Sequence, residues 1–253
     1  MTKIILSGAC GRMGRAIHRL TEKNDAVTVV AGVDPFGKAY ADFPLYAAFE
    51  DVKEEADVVV DFSNVAAIET GLLDFCISRK LPLVLATTGH SPEQLEKIAE
   101  AQKSIAIFRS ANMSMGVNLL ADLIKRAASV LGEGYDVEII EKHHNQKLDA
   151  PSGTALMLAD EVKSALPYEA EYCYDRHERR EKRPAHEIGI HAVRGGTIVG
   201  EHEIMFCGPD EVITIAHSAL TREAFAGGAV KAAQFLAGKT AGAYGMKDLL
   251  ANI

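Results

Sequence analysis

The sequence predicts an α/β protein: a Rossmann-like, doubly wound parallel sheet plus a smaller α+β domain with a mixed or antiparallel sheet. Two observations carry the first part. A glycine-rich turn, Gly8–Gly14, follows the apolar run Lys3–Ser7, and further apolar runs alternate with helical patterns up to residue 113. A third observation carries the second part, because three strand-like runs separated only by short glycine turns occupy residues 187–217.

The composition is that of an ordinary globular protein with a mainly aliphatic core. Of 253 residues, 48% are hydrophobic, 25% are charged and none is tryptophan, and the formal net charge is −8. A chain this acidic is a poor general ligand for nucleic acid or for an anionic membrane surface. No stretch reaches the roughly 18 apolar residues that span a bilayer. We therefore expect a cytoplasmic protein whose partners include neither nucleic acid nor membrane.

The four cysteines stand far apart in the sequence. Cys10, Cys76, Cys173 and Cys207 form no Cys-x-x-Cys pair. This spacing favours a reducing compartment and argues against a thiolate zinc site. Each cysteine is most simply a small buried apolar residue, and we predict no bound metal.

The strand, glycine turn and helix at the start of the chain stand in the order that a dinucleotide-binding fingerprint requires. The spacing is G-x-x-G-x-x-G rather than G-x-G-x-x-G. It still removes side chains where backbone amides must approach a pyrophosphate at a helix N-terminus. The next apolar run, Val27–Val33, ends at Asp34, and an acidic residue there can bind the adenosine ribose hydroxyls. The predicted cofactor contacts in this part are Gly8, Ala9, Cys10, Gly11, Arg12, Met13 and Asp34.

Asp34 also bears on the choice between NADH and NADPH. A carboxylate repels the 2′-phosphate of NADPH, but Arg12 and Lys38 can offset that repulsion. The sequence therefore favours tolerance of NADH but leaves NADH, NADPH or both open as the cofactor.

Three further buried strands are predicted at Asp57–Ser63, Leu83–Ala86 and Ile105–Phe108. Ligands of doubly wound sheets bind beyond the carboxyl ends of the strands. The turns that follow the last two strands fall at those ends, so we expect them to face the nicotinamide half of the cofactor. The residues concerned are Ala86, Thr87, Thr88, Ser110, Ala111, Asn112 and Met113.

Helical and strand-like patterns also divide the remaining chain. Helices are predicted at Val65–Arg79, from Pro92 onward, at Met115–Leu131 and at Thr221–Leu236, and strands at Asp136–Glu141, Glu187–Arg194, Ile198–Phe206 and Glu211–His217. The stretch Tyr168–Pro184 mixes charges of both signs, which indicates a solvated, mobile loop.

The segment Glu141–Leu156 concentrates chemically active side chains between a predicted strand end and a helix start. His143 and His144 can exchange protons near neutral pH. Lys147 supplies a compact cation or an acid, and the Ser152–Thr154 amides open a helix N-terminus that favours anions. The set predicts a site for a carboxylate substrate with proton donors beside it. A simple helix cap after a polar loop accounts for Ser152 and Thr154 alone but not for the whole set.

This segment resembles the signature of the dihydrodipicolinate reductase family of lysine biosynthesis. The matching residues are Glu141, His143, His144, Lys147 and Asp149 through Leu156, and the resemblance extends to Arg194–Gly196, Val199–His202 and Phe225–Ala229. Ala86 departs from the family, in which a glycine is usual. The resemblance implies NAD(P)H-dependent reduction of 4-hydroxy-tetrahydrodipicolinate (dihydrodipicolinate) to tetrahydrodipicolinate in the diaminopimelate and lysine pathway. It also implies a homotetramer built by the second sheet.

The resemblance further implies roles for individual residues. His143 would donate the proton, and Lys147 would act as a second acid or stabilise charge. Substrate carboxylates would be held by His144, Lys147, Ser152, Gly153 and Thr154, with Glu141 and Asp149 orienting the cluster. The cofactor domain would be discontinuous, comprising residues 1–113 and 221–253, and residues 114–220 would form the substrate-binding and oligomerisation domain.

Two functions of other classes stay open on the sequence alone. A nucleotide-sensing regulatory protein would bind NADH without turnover, although sensing does not require the histidine and lysine cluster. A metal-dependent hydrolase would use His143, His144 and Asp149. However, adjacent histidines on a strand point to opposite faces, and His186-Glu187-x-x-x-His191 misses the H-E-x-x-H spacing by one residue.

Overall fold

The computed structural model describes residues 1–252, which form two compact units. The first unit comprises Met1–Met115 together with residues 222–252, and the second comprises Gly116–Thr221. The last residue of the predicted cofactor domain, Ile253, lies outside the described residues.

Twelve strands and seven α-helices lie within residues 1–252. The strands are β1 (Thr2–Ser7), β2 (Val27–Val33), β3 (Leu45–Tyr46), β4 (Val58–Asp61), β5 (Leu83–Leu85), β6 (Ala106–Arg109), β7 (Asp136–His143), β8 (Glu171–Cys173), β9 (Glu187–Arg194), β10 (Gly200–Cys207), β11 (Val212–Ala219) and β12 (Gly242–Tyr244). The helices are α1 (Arg12–Thr21), α2 (Leu72–Arg79), α3 (Pro92–Ala101), α4 (Met115–Leu131), α5 (Gly153–Lys163), α6 (Glu223–Leu236) and α7 (Met246–Leu250). None of these helices has both the length and the apolar character needed to cross a membrane.

The first unit contains a parallel seven-stranded sheet in the order β12-β6-β5-β4-β1-β2-β3. From β1 the chain moves outward through β2 and β3, returns to the other side of β1, and continues through β4, β5 and β6. The reversal creates a switch point between β1 and β4, where doubly wound sheets bind their ligands. The predicted Rossmann-like fold class is confirmed.

Both faces of this sheet are covered by apolar layers. Along β1, Ile4 and Leu6 belong to the layer that contains α1 and α6, whereas Ile5 belongs to the layer that contains α2 and α3. A strand buried on both faces needs apolar residues at successive positions. This burial explains why β1, β4 and β5 are nearly continuous apolar runs in the sequence.

The helix predicted at Val65–Arg79 is not continuous. Val65–Ile68 forms a 3₁₀ turn, and α2 begins only at Leu72. Gly71, which lies between them, has a φ of +96°, a backbone conformation that side chains of L-residues disfavour and glycine tolerates. The prediction of one helix is wrong here because a left-handed residue separates the two segments.

The second unit contains a mixed five-stranded sheet in the order β11-β10-β7-β9-β8. Strands β7, β8 and β9 are parallel to one another, whereas β10 is antiparallel to both β7 and β11. One face of the sheet packs on α4 and α5. Because β7 lies between β9 and β10, the Gly195–Gly196 turn joins two strands that are not neighbours.

The charged stretch Tyr168–Pro184 is more ordered than predicted. It contains β8, which pairs with β9, and two of its arginines neutralise a buried carboxylate. Glu187 is only 4% exposed and is bound by Arg176 at 2.5 Å and Arg179 at 3.2 Å. A buried carboxylate is costly without such partners. Residues 177–182 are exposed, as predicted for a solvated loop, but β8 and these ion pairs tie the stretch to the sheet, which the sequence did not predict.

Helix α6 packs so closely on the backbone at Met113 that a substitution in the helix can test this packing. A Cβ added at Gly228 would lie 1.7 Å from the Met113 carbonyl oxygen, whereas one added at Gly227 meets no atom within 4 Å. We expect Gly228→Ala to lower the free energy of unfolding by about 1–3 kcal/mol or more because the helix must move away. The matched change Gly227→Ala should raise it by roughly 0.5–1 kcal/mol through helix propensity. Urea unfolding of both variants measures the difference, and equal stabilities would contradict the packing described.

Candidate active site

The glycine turn between β1 and α1 has no room for a side chain at Gly8 or at Gly14. Gly8 has a φ of +74°, and a Cβ added there would lie 2.8 Å from the Phe62 carbonyl oxygen. A Cβ added at Gly14 would lie 2.4 Å from the Gly8 carbonyl oxygen. Gly11 is the N-cap of α1 and provides no side-chain cap, so the helix start presents its backbone amides. This cradle fits the pyrophosphate of a dinucleotide, which binds such amides at a helix N-terminus.

The other predicted residues of this turn divide between the turn and the core. Ala9 is fully buried, and its side chain packs in the apolar layer with α1. Met13 packs against the same layer, and Arg12 is the exposed first residue of α1. Ala9 and Met13 can therefore approach a cofactor mainly through their backbones.

Asp34 is joined to the glycine turn by its carboxylate. It accepts the Cys10 backbone N–H at 3.0 Å through Oδ2 and the Phe36 N–H at 3.2 Å through Oδ1. Burial, followed by the nearby Asp34 carboxylate, raises the pKa of the Cys10 thiol. The fold thus brings Asp34, at the end of β2, beside the turn where a ribose would follow the pyrophosphate.

The two turns predicted to face the nicotinamide lie together beyond β5 and β6. They line a cavity of about 420 Å³, whose wall residues include Thr87, Thr88, Gly89, His90, Arg109, Ser110 and Ala111. Asn112 and Met113, which follow Ala111 in the sequence, are buried. Ala86 is 9% exposed and packs in the core.

Asp61, a residue that sequence interpretation missed, organises this end of the sheet. Its fully buried carboxylate accepts hydroxyl hydrogen bonds from Ser7 at 2.7 Å, Ser63 at 2.5 Å and Thr87 at 2.5 Å. The three hydroxyls come from the ends of β1, β4 and β5. Asp61 therefore fixes Thr87 relative to the glycine turn, and an acid directly after the apolar run Val58–Val60 was the available signal.

In the second unit, the centre of the predicted cluster is the carboxylate of Glu141. Glu141 is fully buried on the same face of β7 as His143, whose Nδ1 lies 2.6 Å from Oε2. Arg194 binds both oxygens, with Nη2–Oε1 at 2.6 Å and Nη1–Oε2 at 2.8 Å. The Ser152 backbone N–H donates to Oε1 at 2.9 Å. Burial opposes ionisation of Glu141, but these three donors outweigh it and lower the pKa of the carboxyl.

The charge on Glu141 determines which nitrogen of the His143 ring carries the hydrogen in this contact. An ionised carboxylate only accepts hydrogen bonds, so Nδ1 carries the hydrogen and donates it to Glu141. The other nitrogen, Nε2, is not held by Glu141. It lies above Gly200, where an added Cβ would come within 3.1 Å of it. His143 is the last residue of β7 rather than a loop residue, which places its ring on a rigid element.

Lys147 and Asp149 lie in the loop that follows β7. The Lys147 ammonium is 2.9 Å from Asp149 Oδ1, and the two side chains are 22% and 57% exposed. The hydrogen bond from Lys147 is the main cause of a lowered pKa of Asp149, and the Gly153 backbone also contributes. His144 is half-buried, and its Nδ1 has no hydrogen-bond partner within residues 1–252.

Helix α5 starts immediately beyond this loop, as predicted. Ser152 is its N-cap, and the Ser152 hydroxyl accepts the Ala155 N–H at 3.1 Å. The Ser152 amide is already used by Glu141, while Gly153 and Thr154 form the first turn. The contact of Ser152, Gly153 and Thr154 with a substrate stays a prediction.

Arg194 was part of the family resemblance but had no assigned role. It lies beside His143 because the two residues pair across β9 and β7. The same side chain also donates to the Asp149 carbonyl at 2.7 Å. Among residues 1–252, no group of three His, Cys, Asp or Glu side chains is arranged to hold a metal ion.

Two protein-family models cover nearly all of the chain. The model described as dihydrodipicolinate reductase, N-terminus, matches residues 2–113, and the model described as dihydrodipicolinate reductase, C-terminus, matches residues 116–250.

Individual proteins give the same result. The chain is 55% identical over 250 residues to the 4-hydroxy-tetrahydrodipicolinate reductase of Caldanaerobacter subterraneus subsp. tengcongensis, covering 99% of this chain and 98% of that protein. It is 47% identical to the enzyme of the same name from Clostridium tetani, covering 99% and 97%. Its fold matches the dipicolinate-bound dihydrodipicolinate reductase from Paenisporosarcina sp. TG-14 with a TM-score of 0.79 and 26% identity, covering 98% and 99%. The chain belongs to the dihydrodipicolinate reductase family.

Proposed function

We propose that His143 supplies the proton, assisted by Lys147, in the reaction of this family: the NAD(P)H-dependent reduction of 4-hydroxy-tetrahydrodipicolinate to tetrahydrodipicolinate in diaminopimelate and lysine biosynthesis. The observation that carries the proposal is the 2.6 Å contact between His143 Nδ1 and the buried, arginine-bound carboxylate of Glu141. It orients an imidazole so that its second nitrogen can act on a substrate.

The reaction needs a proton at a defined place. The reduced nicotinamide, when bound, supplies the hydride. Hydride addition to a conjugated imine leaves electron density on the ring, which a positioned acid must neutralise. His143 Nε2 meets that need because Glu141 holds the opposite nitrogen.

Cations and backbone amides in the same loop would hold the substrate carboxylates. Lys147 provides an ammonium group, and His144 carries a ring nitrogen without a partner among residues 1–252. The first turn of α5 adds the Gly153 and Thr154 amides at a helix N-terminus, while Ser152 fixes their position as the N-cap. The dipicolinate in the relative's structure is itself a dicarboxylate, which supports this class of ligand.

The nicotinamide cofactor would be held by the first unit. The Gly8–Met13 turn would bind its pyrophosphate, Asp34 its adenosine ribose, and the Thr87–Thr88 and Ser110–Met113 turns its nicotinamide half. Whether NADH or NADPH is preferred depends on Asp34 against Arg12 and Lys38. We further propose, from the resemblance, that the chain forms a homotetramer in the cytoplasm, and its four unpaired cysteines suit a reducing compartment.

The activity is tested by mixing the protein with NADH or NADPH and the freshly made condensation product of aspartate semialdehyde and pyruvate. We expect oxidation of the nicotinamide that requires all three components. Omitting pyruvate from the condensation provides the control. Cofactor binding without turnover would instead favour the nucleotide-sensing function.

Replacing the proposed acid gives the second test. We expect His143→Gln to lower kcat by a factor of roughly 10²–10⁴, the usual contribution of a general acid. The KM for NADH should stay close to that of the wild type, because His143 lies in the substrate unit. Steady-state kinetics measures both, and near-normal turnover would remove His143 from the chemistry.

Lys147 is tested against its neighbour Lys142, which pairs with Glu201 at 3.1 Å from the opposite face of β7. We expect Lys147→Ala to raise the KM for the dicarboxylate and to lower kcat, because a substrate-facing charge is lost. Lys142→Ala should leave both constants within about twofold of the wild type, since exposed ion pairs contribute little. Equal kinetic constants for the two variants would show that Lys147 is a surface residue without a role in substrate binding.

A further inference from the structure

His202 is a buried histidine that the proposed reaction does not use. It lies on β10 and pairs directly with Glu141 on β7 and with His217 on β11. Only 4% of the residue is exposed. Its ring stands edge-on to the His143 ring, with 5.3 Å between the ring centroids. His202 therefore belongs to the same buried layer as the proposed proton donor.

One hydrogen bond links His202 to the network around Glu141. Its Nε2 lies 3.2 Å from the Ser152 hydroxyl oxygen, and the backbone amide of the same serine donates to Glu141 at 2.9 Å. Ser152 Oγ accepts the Ala155 N–H and can still donate its hydrogen to His202 or accept one from it, depending on the His202 tautomer. The chain of contacts thus runs from His202 through Ser152 to Glu141, and from Glu141 to His143.

Stability alone does not explain a histidine at this position. Its Nδ1 is buried and has no hydrogen-bond partner within residues 1–252. An unpaired polar atom in the interior costs free energy that an aliphatic side chain would avoid. Burial, and then the neighbouring His143, lowers the pKa of His202 to about 4, so no ion pair offsets that cost near neutral pH. A function of the ring offers a better explanation than packing.

We propose that His202 is a positioning residue: by binding the Ser152 hydroxyl it holds the Ser152 amide on Glu141 and thereby fixes the His143 imidazole. The charged and titratable groups around it are Glu141 and His143 from β7, His217 from β11 and Lys147 from the following loop. The effect on catalysis rests on the proposed function of His143. The effect on the Glu141–His143 hydrogen bond does not.

The first test compares two substitutions. His202→Leu removes the bond to Ser152, and we expect kcat to fall roughly 10- to 100-fold because a small displacement of a catalytic group is enough for such a loss. His202→Gln keeps a side chain that can accept from a hydroxyl and should recover most of the activity. His191→Leu, a change on the other face of the same sheet, is the matched control and should stay near wild type. Equal activity of the leucine and glutamine variants would overturn the proposal.

The second test asks whether His202 acts through His143. If it does, adding His202→Leu to His143→Gln should change kcat by less than about twofold, because groups that act as a unit are not additive. A full multiplicative loss in the double variant would instead show an independent structural effect and overturn the proposal.

The third test is independent of turnover. The hydrogen that His143 Nδ1 donates to Glu141 should give a downfield imidazole N–H resonance in the substrate-free protein. We expect that resonance to shift or broaden in His202→Leu and to persist in His202→Gln. Should the leucine variant fail to fold, Ser152→Ala, which removes the hydroxyl that His202 binds, should cause the same change. An unaltered resonance would overturn the proposal even if His143→Gln had already excluded His143 as the acid.

Discussion

The buried carboxylate of Glu141 is the interaction on which the arrangement of the substrate unit depends. A fully desolvated anion is tolerated only where several donors surround it, and Arg194, His143 and Ser152 provide them. Each donor comes from a different element: β9, β7 and the start of α5. Satisfying one charge therefore fixes the strand end, the turn after β9 and the helix N-terminus relative to one another.

In the first unit, hydroxyl groups rather than charged side chains bind a buried carboxylate. Asp61 is buried at the switch point of the parallel sheet, and three hydroxyls from neighbouring strand ends bind its carboxylate. The glycine turn and the Thr87–Gly89 turn are positioned by the strands that Asp61 connects. In both units a buried carboxylate at a strand end holds together the residues that we assign to ligands.

The fold class, most strand positions and the strand, loop and helix order of the segment Glu141–Leu156 could be predicted from the sequence because each depends on local patterns. Apolar runs marked β1, β2, β4 and β5, and the Ser91 capping box that begins α3 has a recognisable composition.

The features that the sequence did not predict depend on strand order or on neighbours far along the chain. Arg194 stands 53 residues from Glu141, and their contact exists only because β9 pairs with β7. The charged stretch Tyr168–Pro184 looked solvated because the carboxylates that order it, such as Glu187, lie outside it. The break at Gly71 depends on a single left-handed residue in an otherwise helical pattern.

The two kinds of ion pair at the candidate site differ in the free energy needed to separate the partners. Removing one partner from a buried pair such as Glu141–Arg194 costs roughly 3–5 kcal/mol. The partly exposed pair Lys147–Asp149 is of a type worth only about 0–1 kcal/mol, so an incoming carboxylate can replace Asp149 beside the ammonium at little cost. Under the proposed function, a chain with a net charge of −8 would accept a dicarboxylate in this way, because Asp149 holds the Lys147 ammonium weakly while Arg194 holds the Glu141 carboxylate firmly.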